Sequence, residues 1–219
     1  MGLNVIMMGA PGAGKGTQAG RFARERGLPK ISTGDMLREA IKAKDPVALK
    51  AKARMDRGEL ADDATMIAIV KKRLAQPDAQ AGFVLDGFPR TVAQATALDE
   101  IMRERNHGPL IVVDVMVPPE ELVRRLATRR ICVDCGTNAD PRATDRCLKC
   151  GGRLEQRADD NQDVVRERLA VYARETQPVL EFYRERPTFR VVNGAQTAER
   201  VAQELDTMID DAAAARAER

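Results

Sequence analysis

The sequence predicts an α/β fold with a parallel sheet, and three observations support it. Short apolar runs such as Leu3–Met8 and Leu110–Val115 alternate with longer stretches of helical periodicity. The first apolar run passes through a glycine-rich turn directly into a helical pattern. The chain has 219 residues, 43% hydrophobic and 32% charged, which suffices for one substantial core carrying small insertions.

In chain order, strands are expected at Leu3–Met8, Pro29–Ser32, Phe83–Leu85, Leu110–Val115 and Arg190–Val192. Helical patterns lie between them near Lys15–Arg26, Thr33–Lys44, Val47–Arg57, Asp63–Ala75, Thr91–Arg105 and Pro119–Arg130. Two long ones follow, near Gln162–Arg186 and Ala198–Arg216. Asp62 and Asn161 stand where an N-cap is needed, each ahead of acid in the first turn. Pro118-Pro119-Glu120-Glu121 places proline and two acids at a helix start, as the macrodipole favours. Pro178 is expected to kink the long helix it interrupts, and Ala212–Ala215 to be a fraying end. Two stretches break the alternation: Ser32–Ala75 holds three helical patterns without a strand, and Ile131–Leu154 is rich in cysteine, glycine and turn residues. Both read as insertions placed to cover a site.

Composition excludes several classes. A net charge of +3, spread along the chain, does not argue for nucleic acid or membrane. No apolar run approaches the roughly 18–20 residues of a membrane span. The first residues read as a strand rather than a secretion signal, so a cytoplasmic protein is expected. The single histidine, His107 in the turn-like Arg105–Pro109, argues against histidine triads and is assigned no role.

The turn Gly9-Ala10-Pro11-Gly12-Ala13-Gly14-Lys15-Gly16-Thr17-Gln18 is the most informative stretch. Glycines let backbone N–H groups converge on an anion, and the helix that follows adds its positive end. Lys15 supplies a mobile charge for terminal phosphates and Thr17 a hydroxyl near a metal ion. An ordinary glycine-rich turn would not need the lysine. Phe83-Val84-Leu85-Asp86 ends a strand in a carboxylate, a placement that supports Mg2+ or its waters beside such a loop; its plain alternative is a helix N-cap. Gly87-Phe88-Pro89-Arg90 then aims Arg90 into the same region.

All four cysteines form one pattern, Cys132-x-x-Cys135 and Cys147-x-x-Cys150, eleven residues apart and each pair followed by glycine. Two such knuckles present four sulfurs to one tetrahedral zinc ion in a closed, structural site. Disulfides are the alternative, disfavoured by the spacing and by the absence of a secretion signal. A dithiol redox role would need only one pair. The inner segment Thr137–Arg146 has almost no apolar residues, so the metal would supply its folding free energy. Nine basic and four acidic side chains lie between Arg124 and Arg157. Arg125 and Arg129 fall at i, i+4 within an expected helix, so one face would aim both at a polyphosphate.

Gly9–Gln18, Ile31–Arg38, Asp86–Thr91 with Gln94, Arg125 with Arg129, and Arg157–Asp160, found in this order, closely resemble the nucleoside monophosphate kinases, and within them the adenylate kinases. The resemblance covers essentially the whole chain. Gly16 after the lysine, with Thr17 one place later, is the loop variant of that family. The resemblance implies a P-loop three-layer sandwich with a five-stranded parallel sheet, a helical AMP-binding insertion and a small zinc-bearing lid. Residues 1–31, 62–125 and 162–219 would form the core, 32–61 the AMP-binding domain and 126–161 the lid.

It further implies reversible transfer from ATP to AMP giving two ADP. Gly12, Ala13, Gly14, Lys15, Gly16, Thr17, Arg125, Arg129 and Gln196 would bind ATP. Thr33, Arg38, Glu59, Leu60, Ala61, Gly87, Arg90, Gln94, Arg157 and Arg168 would bind AMP, with Arg38 and Arg90 on its phosphate and Gln94 on the adenine edge. Lys15, Asp86, Arg90, Arg125, Arg129, Arg157 and Arg168 would carry the chemistry, and Asp159 and Asp160 match acids tied to lid closure. Mg2+ would accompany ATP and Zn2+ would sit at Cys132, Cys135, Cys147 and Cys150. A monomer acting on small molecules follows, with no nucleic-acid or membrane partner. The sequence departs from the family at Ala61, where valine is common, and in a shorter stretch between the cysteine pairs. The competing expectations are a UMP/CMP or GMP kinase and, more remotely, a zinc-ribbon nucleic-acid-binding NTPase. The latter lacks interleaved aromatics, with no Trp and two Tyr.

Overall fold

The computed structural model describes residues 2–105, 108–140 and 142–217. Asn106 and His107, in the expected turn, lie outside the described residues. Among the described residues, strands β1 (Leu3–Met8), β2 (Lys30–Ser32), β3 (Gly82–Asp86), β4 (Leu110–Met116) and β7 (Phe189–Asn193) form a five-stranded sheet in the order β2-β3-β1-β4-β7. Every pairing in it is parallel, with β1 in register between β3 (Ile6 opposite Leu85) and β4 (Ile6 opposite Val112).

Alternation along the strands divides the core into two layers. Ile6, Met8, Phe83, Leu85, Leu110 and Val112 face one side. There they pack on α4 (Asp63–Leu74), α5 (Val92–Glu104) and α8 (Gln177–Arg184). Val5, Met7, Val84, Ile111, Val113 and Val115 face the other, against α1 (Lys15–Glu25) and α9 (Ala198–Ala217). Because both faces are covered, the strands are nearly continuous in apolar residues, which is why short apolar runs located them. The expected end Ala212 is packed into this second layer rather than frayed. No helix among the described residues is long and apolar enough to cross a membrane.

The insertion read as Ser32–Ala75 is narrower, because α4 packs on the sheet through Met66, Val70 and Leu74; what remains is α2 (Thr33–Lys42) and α3 (Pro46–Met55), capped by Ser32 and Asp45. The Asp62 and Asn161 caps form as expected, accepting from the Thr65 and Val164 amides. The second insertion leaves α6 (Pro119–Ala127) and returns through β5 (Arg130–Cys132) and β6 (Leu154–Gln156), a small antiparallel pair.

Two expected helices end differently. The helix read as Pro119–Arg130 stops at Ala127, because the chain must turn there to enter β5, so Arg129 is not on the face that carries Arg125. The long helix read as Gln162–Arg186 is α7 (Gln162–Val171), a π-helical segment Tyr172–Thr176, then α8. Pro178 lacks the N–H the ladder needs and its ring crowds the carbonyl four residues back, so the backbone widens in the turn before it.

Candidate active site

The glycine-rich loop leaves β1 at the carboxyl ends of the strands and opens α1. Gly12 (φ 88°) and Gly14 (φ 92°) adopt left-handed conformations that keep the backbone turning, and Gly14 caps the helix. Lys15 folds back over the loop and donates to the Ala10 carbonyl at 2.8 Å. Withdrawal of its ammonium from water, reinforced by Arg90, Arg168 and Arg129, pushes its pKa down to about 8 against the opposing pull of Asp86. A lysine in that state gains from an incoming phosphate.

Asp86 ends β3 beside this loop and caps no helix; Thr91 is the N-cap of α5. A Cβ on Gly16 would stand 3.1 Å from Asp86 Oδ2, a tight contact, so glycine lets the loop lie beside the carboxylate without displacing it. Lys30 on β2 reaches Asp86 Oδ2 at 3.3 Å and Asp35 Oδ2 at 3.7 Å, and Asp35 also pairs with Arg38. A line of alternating charge therefore joins the loop region to the first insertion. Lys30 was hidden in the sequence because it falls inside an expected strand.

One cavity runs from Lys15 to Thr33 and Arg38 on α2, to the 58–61 turn, and to Gly87, Arg90 and Gln94. Arg157, Asp159, Arg168, Tyr172 and Thr176 close its other side. Gly87 (φ 81°) holds the strand-end turn, and its carbonyl accepts from Thr33 Oγ1 and Arg90 Nε, each at 2.8 Å. The π-helical segment contributes directly: Thr176 Oγ1 donates to the Arg90 carbonyl at 2.9 Å.

The acids at 159 and 160 hold the arginines. Asp160, with no side-chain exposure, accepts from Arg129 Nε (2.7 Å) and Nη2 (2.6 Å) and from Arg168 Nη1 (2.9 Å). Asp159 pairs with Arg157 at 2.7 Å and Arg168 at 3.1 Å. Burial would raise Asp159, but Arg157 and Arg168 prevail and hold it at about 2. Burial likewise pulls Arg168 down to about 10, a level at which it stays charged at neutral pH.

A strand-end glycine loop, a half-buried lysine and a rank of arginines facing one cavity are the equipment of a phosphate enzyme. The family model described as adenylate kinase matches residues 7–188. An adenylate kinase of Archaeoglobus fulgidus is 47% identical over 213 residues, covering 95% of this chain and 98% of the relative. One from Bacillus subtilis is 46% identical over 212 residues, covering 94% and 98%. The chain belongs to the adenylate kinase family.

As an adenylate kinase family member it is a phosphotransferase, and the cavity gathers all ten residues expected to bind the acceptor: Thr33, Arg38, Glu59, Leu60, Ala61, Gly87, Arg90, Gln94, Arg157 and Arg168. Leu37, Met55 and Met66 line it too and were not anticipated, since apolar residues at helical spacing read as core. Three expected residues point elsewhere. Arg125 pairs with Glu121 one turn back at 2.8 Å, Arg129 is held by Asp160, and Gln196 donates to Asn193 O and Glu204 Oε2 on its own segment. The i, i+4 pairing of Arg125 with Arg129 is thus replaced by two separate acid partners. Thr17 is exposed on the first turn of α1. With Asp86 it offers oxygen donors, which suit a hard cation such as Mg2+.

The four cysteines converge in the second insertion. They form no disulfide, and their sulfurs lie within 4.8 Å of one another, with Cys132–Cys150 at 3.4 Å and Cys135–Cys147 at 3.7 Å. A disulfide would need about 2.05 Å. Four sulfurs at about 2.3 Å from a tetrahedral metal stand about 3.8 Å apart. Gly136 (φ 67°) and Gly151 (φ 75°) turn the two knuckles, so the group is arranged to hold a metal ion.

Proposed function

We propose that this cleft transfers a phosphoryl group reversibly from ATP to AMP, giving two ADP. The observation that carries the reading is the convergence of Lys15, from the glycine loop, with Arg38, Arg90, Arg157, Arg168 and Gln94 around one cavity. One phosphate clamp serves a donor and the other an acceptor, so the site is built for two nucleotides.

Gly12, Ala13, Gly14, Gly16 and Thr17 would cradle the ATP phosphates through backbone amides, with Lys15 on the terminal ones. Arg38 and Arg90 would clamp the AMP phosphate, Thr33, Glu59, Leu60, Ala61 and Gly87 would line its pocket, and Gln94 would meet the adenine edge. Arg125, Arg129, Arg157 and Arg168 would gather on the transferring group, exchanging their carboxylate partners for phosphoryl oxygens as the site closes; Gln196 would turn to the ATP base. No side chain acts as nucleophile, because the acceptor's own phosphate oxygen attacks. The chain supplies alignment, charge and exclusion of water. Mg2+ bound with ATP would neutralise charge on the phosphates, and Asp86 with Thr17 would organise its waters.

Residues 1–31, 62–125 and 162–219 would then be the core, 32–61 the AMP-binding domain and 126–161 the lid, whose metal is zinc on the strength of four sulfur ligands. The reduced cysteines suit a cytoplasmic protein, and we take it to act as a monomer on small molecules. The test is ADP formation from ATP with AMP, set against UMP, CMP and GMP. AMP should be preferred, and Lys15→Met or Arg90→Ala should lower kcat by roughly 10²–10³-fold or more while leaving the far-UV spectrum unchanged. Near-normal turnover in either variant overturns the assignment.

A further inference from the structure

Gln94 is 2% exposed and lines the cavity where the acceptor base would lie, yet both ends of its amide are already engaged from behind. Its Nε2 donates to Asp63 Oδ1 at 2.8 Å. Its Oε1 accepts from the Arg90 backbone N–H, also at 2.8 Å. The carboxylate can only accept and the backbone amide can only donate, so the two contacts allow one orientation of the side chain and forbid its flip. Asp63 is itself anchored: Thr91 Oγ1 donates to its Oδ2 at 3.0 Å, and the same hydroxyl accepts from the Gln94 backbone N–H at 3.2 Å.

After these contacts Gln94 has one N–H and one carbonyl lone pair left to offer the cavity. That combination fits a base edge with an amino donor next to a ring-nitrogen acceptor, as in adenine. A 6-oxo purine presents the reverse, a carbonyl next to a ring N–H. To meet it, Gln94 would have to flip, bringing its carbonyl against the Asp63 carboxylate and its NH2 against the Arg90 N–H. Discrimination would come from that penalty as much as from the correct contact.

We propose that Asp63 is a positioning residue that sets base specificity by locking the Gln94 amide, so that 6-amino purine monophosphates are accepted and 6-oxo ones rejected. This rests on the reading of Gln94 as the group facing the acceptor base. Asp63 does not line the cavity and acts only through Gln94.

The test compares AMP with IMP, which differ at the 6-substituent and the protonation of N1. Asp63→Asn keeps the shape but can present either a donor or an acceptor to Gln94. The ratio of kcat/KM for AMP over IMP should fall by about tenfold or more, the effect of mispairing one buried polar contact, with KM for ATP within twofold of the parent. Asp63→Glu, which keeps an acceptor-only group, should retain more of the ratio than Asp63→Asn. Dissociation constants for the two monophosphates, measured by calorimetry, should shift in the same sense without reference to turnover. A purely structural role would lower both activities together and leave the ratio in place, which would overturn the proposal. If Asp63→Asn does not fold, Asp63→Ser, whose hydroxyl is equally ambivalent, must show the same loss. Gln94→Ala separates the two levels. If it leaves the ratio unchanged, the reading of Gln94 is wrong; if it collapses the ratio while Asp63→Asn does not, only the role of Asp63 falls.

Discussion

The parallel sheet and the cysteine-bearing insertion hold themselves together by different means. In the sheet, Val5, Ile6, Phe83, Val84, Leu85 and Val112 are fully buried between two helical layers, and apolar burial dominates. In the insertion the only cluster among the described residues consists of Cys132, Ala143, Cys147 and Leu154, with Cys135 and Ala139 beside it. Half of that group is cysteine. A segment whose small core is built around four cysteines can be ordered without adding bulk. The difference extends to charge. The sheet side keeps Lys15 by withdrawing it from water, whereas the arginines nearer the insertion are kept by Asp159 and Asp160.

The largest effect should come from breaking the sheet and the insertion separately. Phe83→Ala should cost roughly 3–5 kcal/mol of global stability in denaturant unfolding. Metal removal from the parent protein should leave the sheet's far-UV signal in place, open residues 131–154 to proteolysis and lower activity. A single joint unfolding on metal removal would show the two regions to be one cooperative unit. Next in size is the junction between them. Asp160→Ala leaves Arg129 and Arg168 without their shared buried partner and should destabilise by about 3 kcal/mol; a change below 0.5 kcal/mol would show these arginines to be well solvated.

The smallest effect is a proton. With its pKa pushed down to about 8, Lys15 is half-charged near pH 8 and loses most of its charge by pH 9, below the ordinary lysine value of about 10.4. A bound polyphosphate would restore its charge, so ATP binding near pH 9 should take up close to one proton and weaken as pH rises. Calorimetry in buffers of different ionisation enthalpy reads this directly. Lys15→Met should show no uptake, and equal enthalpies across buffers for the parent protein would refute the buried-lysine account.

The strands and the glycine loop were legible in the sequence because burial on both faces writes apolar runs, and because few turns need glycine at Gly12 and Gly14. The cysteine tetrad was legible by spacing. The partners of the arginines were not, since Asp160 meets Arg129 across 31 positions and no periodicity records that. Asp63 and Lys30 were missed for a related reason. Each satisfies a local role, helix start or strand residue, that conceals a second contact made across the fold. The π-helical segment was not legible because proline marks where a helix is disturbed but not how far upstream the backbone yields.

The clasp between α1 and α9 also bears on how the molecule assembles. Arg21 and Arg26 pair with Asp206 and Asp210, and Gln18 Nε2 donates to the Ala198 carbonyl, joining segments about 180 residues apart. Strand β1 likewise waits for β3 and β4 before either of its edges is paired. Such distant closure slows folding and ties it to late-made segments. The glycine loop therefore precedes in sequence the segments that seal it, so nucleotide binding should report on the docking of α9 and β4 rather than on β1 and α1 alone.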